Sequence, residues 1–174
     1  MLRKIYLQNE YPERIREDAI RASRELIPKE VFGYLSGEYF PEDDIILFSE
    51  IHPIGKKLGT KSPIANIIDH FFISLSSRKI KEYMRRIHYK LPHMLNEGKL
   101  PGWGVYHSHK GSSGWSQDDL QYIGKPSRIG AKRKYEEAHI LYSVGDDQFR
   151  ARNRKNEPIS IQLPNGEYVS KVQT

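Results

Sequence analysis

The feature that most limits what this chain can fold into is its apolar periodicity, which switches repeatedly between steps of three to four residues and steps of two. A short extended piece at Arg3 to Leu7 leads into a helical pattern from about Pro12 to Leu26, where Ile15, Ala19, Ala22 and Leu26 recur at helical spacing before Pro28 stops the run. Two β-rich runs follow, EVFGYLSG from Glu30 and DIILFSEIH from Asp44, and the turn-prone FPEDD between them predicts a hairpin or meander. Residues Pro53 to Lys61 are polar and rich in Gly and Lys, the pattern of a surface loop. Ser77 to Glu97 predicts a helix with Ile80, Met84, Ile87 and Leu91 on one face, kinked or shortened by Pro92 and ended by GKLPG. The strand WGVYHSH, the loop KGSSGW and a helix from near Ser116 come next, followed by strands in AHILYSV, FRARN and PISIQL. The order β-α-β-β-α-β-α-β-β-β predicts an α/β fold, a mixed β-sheet sandwiched by helices. At 174 residues the chain reads as one domain, 1–174, with its core at about 12–163.

Composition removes several function classes. With no cysteine, the chain has no thiol nucleophile, disulfide framework or cysteine-zinc site, and its strong metal ligands are His, Asp and Glu. The N-terminal MLRKIYLQNEYPERIRED lacks the apolar stretch of a signal peptide, and no window approaches the roughly 18 apolar residues of a membrane span, so a cytoplasmic protein without a membrane partner is expected. The net charge of +6 and pI near 9.4 leave nucleic acid open as a partner. That charge sits mainly in Arg78 to Lys90 and Lys125 to Lys134 without the interleaved aromatics of a single-strand platform, and also reads as a solvated surface. Nothing in the sequence fixes an oligomeric state.

His107 and His109 lie two apart on a predicted strand, where the period of two sends both imidazoles to one face, a geometry that suits one metal ion. After a loop of six residues, Ser116-Gln117-Asp118-Asp119 opens a helix and can return a carboxylate to the histidines. Two His and one Asp with an open fourth position is a catalytic rather than a structural zinc arrangement. S-x-x-D before an apolar run is equally a capping box, with Ser116 as N-cap and Asp119 at N3. The two roles are compatible. Trp103 and Trp115 flank this region; Trp103 reads as core, and Trp115 either as a loop anchor or, with Tyr106, as the wall of a groove for an extended peptide.

GWGVYHSH followed by S-x-x-D resembles the signature of the JAMM (MPN/JAB-type) zinc metalloproteases, and Pro28-Lys29-Glu30-Val31-Phe32-Gly33-Tyr34-Leu35-Ser36-Gly37 resembles that family's P-x-E-x-x-G-x-L-x-G. The order of elements is similar as well, including HFFIS at His70 to Ser74 followed by a helix, so the likeness covers about Ile15 to Val144. Two features depart from the family pattern: Lys110 to Trp115 supply six residues where seven are usual, and Lys110 replaces a proline. Gly111 and Gly114 give that loop room to adjust. A slip of one residue would put Asp118 in the place of Asp119, but the S-x-x-D spacing favours Asp119.

The resemblance implies a cytidine-deaminase-like/JAMM (MPN) architecture of the compact, prokaryotic-like kind. It implies one Zn2+ per chain on His107, His109 and Asp119, with Glu30 as general base and acid and Ser116 as oxyanion donor. The other histidines are assigned no metal. The implied activity is hydrolysis of the isopeptide or peptide bond after the C-terminal glycine of a ubiquitin-like or sulfur-carrier protein. Its tail would be expected to add as a strand beside the active-site sheet, with Gly59 to Ile67 and Gly124 to Lys134 near places where family members carry substrate-contacting insertions. Two alternatives stand beside the enzyme: a catalytically inactive MPN-like scaffold, and a basic nucleic-acid-associated module.

Overall fold

The computed structural model describes residues 1–8, 10–26, 28–58, 63–111, 114–123 and 136–166, with the backbone alone for 63–76. Its elements follow the expected order: β1 (Lys4–Leu7), α1 (Tyr11–Ser23), β2 (Glu30–Phe40), β3 (Ile45–Lys57), α2 (Pro63–Asn96), β4 (Leu100–His109), α3 (Gln117–Ile123), β5 (Glu136–Ser143), β6 (Gln148–Asn153) and β7 (Pro158–Gln162). The sheet is mixed. Strands β1–β3, β1–β7 and β4–β5 pair in parallel, and β2–β3, β2–β4, β5–β6 and β6–β7 pair antiparallel. The hairpins β2–β3, β5–β6 and β6–β7 turn through Asp44, Asp147 and Asn156, each at positive φ (54°, 51° and 64°), where short polar side chains are best tolerated.

The sheet does not stay open. β1 inserts between β3 and β7 and closes it into a barrel in the order β1-β3-β2-β4-β5-β6-β7. β1 pairs with β3 only over Ile45–Phe48, so among the described residues the remainder of β3, Ser49–Lys57, has a strand partner on its β2 side alone. The core inside holds Ile5 and Leu7 of β1, Leu35 of β2, Ile46 and Phe48 of β3, Tyr106 of β4 and Ile140 and Tyr142 of β5, with Ile15, Ala19 and Ala22 of α1. α2 packs elsewhere, burying Tyr83, Ile87 and Leu91. Tyr83 stacks on Tyr34 of β2 with ring centroids 4.7 Å apart.

Several boundaries differ from the sequence reading. α1 ends at Ser23 and Leu26 is fully exposed, so the last member of the expected stripe lies outside the helix. Pro53–Lys57 belongs to β3 rather than to a loop. One extra residue on β3 shifts the register between Phe32 and Gly33, and such a bulge accommodates a proline that cannot donate to the ladder. α2 begins at Pro63 instead of Ser77, takes in His70 to Ser74 and continues through Pro92 to Asn96. Its buried face is Tyr83, Ile87 and Leu91, with Ile80 and Met84 only half-buried. β4 begins at Leu100, inside GKLPG. Residues 59–62 and the 124–134 loop lie outside the described residues. No helix among the described residues is long and apolar enough to cross a membrane.

Candidate metal centre

Strand alternation decides which side chains of β4 share a face. Tyr106 and Ser108 turn one way, and His107 and His109 turn the other. Tyr106 is 2% exposed and sits in the core, beside Gly33, where a Cβ atom would lie 2.5 Å from its ring and 2.5 Å from the His52 carbonyl oxygen. Tyr106 therefore cannot wall a peptide groove, contrary to the sequence reading: its ring is on the opposite side of the sheet from His107. Trp115 does reach the histidines. Its ring stands edge-on to His107 with centroids 5.7 Å apart.

The loop of six residues is long enough to bring α3 back over β4. Val144 N–H donates to the His109 carbonyl (2.9 Å) and Gly145 N–H to that of Gly111 (3.3 Å), fixing the loop's start against the end of β5. Gly114 does so without a left-handed backbone. At its far end Ser116 caps α3: Asp119 N–H donates to Ser116 Oγ (3.2 Å), while Ser116 N–H and Oγ–H donate to Asp119 Oδ2 (2.9 and 2.7 Å). The capping box holds Asp119 facing the strand. Its Oδ1 lies 3.2 Å from His107 Nε2 and its Oδ2 lies 3.2 Å from His109 Nε2. Asp118, one residue earlier, is exposed and is not part of the converging group.

One ligand atom from each of His107, His109 and Asp119 falls within 4.8 Å of the others, and among the described residues no other group of three His, Asp or Glu converges in this way. The set fits zinc. Two imidazole nitrogens and a carboxylate oxygen are donors zinc accepts, and the Asp119 carboxylate spans both rings, Oδ1 towards His107 and Oδ2 towards His109. His107 Nε2 is moreover buried without a hydrogen-bond partner, because its contact with Asp119 is poorly aligned, which leaves its lone pair for an ion.

The electrostatics divide the two imidazoles. Burial dominates at His107, and despite Asp119 it holds the ring below its ordinary pKa, in the neutral form a metal requires. At His109 burial is outweighed by contact with Asp119 and the nearby charge of Glu30, so its pKa is raised. Burial disfavours the charge on Asp119, but contacts with His107 and His109 and the Ser116 hydrogen bond overcome it and carry that carboxyl far below its usual range.

Glu30 stands at the first position of β2. The β2–β4 ladder ends at Phe32↔His107, and Glu30, two residues before Phe32 and so on the same side of β2, lies close enough for its charge to act on His109. Val31 N–H extends that pairing by donating to Ser108 Oγ (3.0 Å). Ser108, the middle residue of His-Ser-His, is thus a positioning group that sequence reading passed over; only its place between two ligands could have pointed to it. Glu30 is 9% exposed, and Lys57 Nζ lies 3.6 Å from its Oε2. His139 of β5 is also buried near His107, but it turns towards Glu137 (3.3 Å) and Tyr122.

No protein-family model matches the sequence, and no curated protein matches it. Among solved structures, the fold is similar to a JAB1/MPN domain protein from Archaeoglobus fulgidus, with 19% identity over 93% of this chain and 97% of that one, at a TM-score of 0.45. It is also similar to a structure described as JAMM, a metalloprotease-like zinc site in the proteasome and signalosome. That likeness has 16% identity over 94% of this chain and 98% of that one, at a TM-score of 0.42.

Proposed function

We propose that the protein is a zinc-dependent peptidase or isopeptidase that hydrolyses the bond after the C-terminal glycine of a ubiquitin-like or sulfur-carrier protein. The observation that carries this reading is the convergence of His107, His109 and Asp119, with the charge of Glu30 acting on His109 from the start of β2. A second carboxylate, near the ligand set but outside it, is the arrangement general-base hydrolysis needs.

His107, His109 and Asp119 would hold the ion, which when bound supplies Lewis acidity and a water with pKa near 7. Glu30 accepts a proton from the attacking water and returns it to the departing amine. Ser116 donates to the oxyanion; its hydroxyl, which donates to Asp119 Oδ2, rotates towards the substrate for this role. Trp115 closes one side against water. The carrier's tail adds as a strand beside the sheet, and the part of β3 beyond Phe48 that β1 leaves unpaired supports this reading.

The test is a panel of ubiquitin-like fusions and conjugates incubated with the wild type and Glu30→Gln, with zinc content measured alongside. Glu30→Gln is expected to keep one zinc and lose turnover, whereas His107→Ala loses both. Equal turnover in wild type and Glu30→Gln refutes the role of Glu30, and purified protein without zinc refutes the enzyme.

A further inference from the structure

The end of β3 carries two adjacent lysines, Lys56 and Lys57, which alternation sends to opposite faces. Lys56 meets Glu25, which also accepts from Lys29 (2.8 Å). Lys57 meets Glu30. Which lysine faces Glu30 is decided by the bulge. From Gly33↔Pro53 and Tyr34↔His52 onward, an uninterrupted ladder would place Lys56 opposite Glu30. The extra residue on β3 instead gives Phe32↔Gly55, Val31↔Lys56 and Glu30↔Lys57. Bulges beside functional sites commonly re-aim a side chain in this way.

We propose that Lys57 is a positioning residue for the hydrolytic reaction, re-aimed by the bulge at Pro53–Gly55 to hold the Glu30 carboxylate over the metal face. This rests on Glu30 being the base proposed above. A carboxylate 9% exposed needs a partner, and Lys57 is the cationic side chain that meets it among the described residues. At 3.6 Å the contact is an ion pair without a short hydrogen bond, so it orients Glu30 while leaving its oxygens to accept a proton. The ammonium is 33% exposed and its charge reaches both His107 and His109, which places it at the rim of the same site.

The experiment compares Lys57→Met, Lys57→Gln and Lys57→Arg with the control Lys56→Met. Lys57→Met and Lys57→Gln are expected to lower kcat by about ten- to a hundredfold, a part of the 10²–10⁴ that a well-placed general base contributes. KM stays within about twofold, because no substrate contact is lost. Lys57→Arg restores most of the rate, and Lys56→Met turns over as the wild type. A second readout needs neither metal nor substrate: a denaturation cycle of chelator-treated wild type, Lys57→Met, Glu30→Gln and the double variant. If Lys57 holds Glu30, the double variant is no less stable than Lys57→Met alone. Additive midpoint shifts, or wild-type kcat in Lys57→Met, overturn the proposal. If the wild type cuts no carrier, the peptidase reading fails, and the cycle still decides whether the tether exists.

Discussion

Replacing Asp119 by alanine removes two functions at once, and the structure lets the losses be separated. Asp119 accepts from the Ser116 amide and hydroxyl and faces two imidazole nitrogens at 3.2 Å. Ser116 still caps the residue-119 amide, so only the acidic N3 half of the capping box is lost, costing about 0.3–1 kcal/mol, and losing charge-assisted contacts in a half-buried site costs about 1.5–3 kcal/mol. These overlap, so about 2–4 kcal/mol is expected in total, and at 2–4 °C per kcal/mol for a domain of this size the melting temperature of chelator-treated protein falls by about 5–15 °C at pH 7. Zinc affinity should fall by more than the ten- to hundredfold typical of removing a ligand's hydrogen-bond partner. Asp118→Ala, at an exposed neighbouring position, should change stability by less than about 0.5 kcal/mol and keep its zinc. Calorimetry with and without chelator, together with metal analysis of both variants, reads every term. Full zinc in Asp119→Ala, or zinc lost in Asp118→Ala, refutes the assignment of the carboxylate ligand.

Gly33→Ala is expected to destabilise the fold by about 1–3 kcal/mol in urea denaturation, because the added Cβ meets the His52 carbonyl oxygen and the Tyr106 ring, both 2.5 Å away. His139 is held down to about 4 by burial and then by the charge of His107, although Glu137 lies 3.3 Å from its Nε2. The unfolded chain takes this proton near pH 6.5 while the fold resists it to about 4. Stability should therefore fall as pH drops through that window, by about 3 kcal/mol for this residue. Urea midpoints between pH 7 and 4 measure the slope, and His139→Phe should flatten it.

The order of elements was legible because each run of apolar residues keeps one period long enough to identify it. What failed was local. Leu26 continues a helical stripe past the point where the helix has stopped. HPIGKK reads as a loop from its Pro, Gly and Lys, yet a bulge lets those residues finish a strand. His107, His109 and Asp119 were readable from spacing and the S-x-x-D box, and Glu30 through family likeness. Tyr106 was misread because nearness in sequence stood in for nearness in space, and one step along a strand crosses to the other face of the sheet. Lys57 carries no local signal; its position follows from the register of two strands, which sequence pattern alone does not encode.

The closure between β1 and β7 also bears on how the chain is made. One side of β1 is filled early by β3, but the other waits for Pro158–Gln162, more than 150 residues later in synthesis. Glu30, His107, His109 and Asp119 all leave the ribosome before that latch exists. Until it forms, a nearly complete site sits on a sheet with an open, apolar edge at Ile5 and Leu7, the kind of edge that invites pairing with another chain.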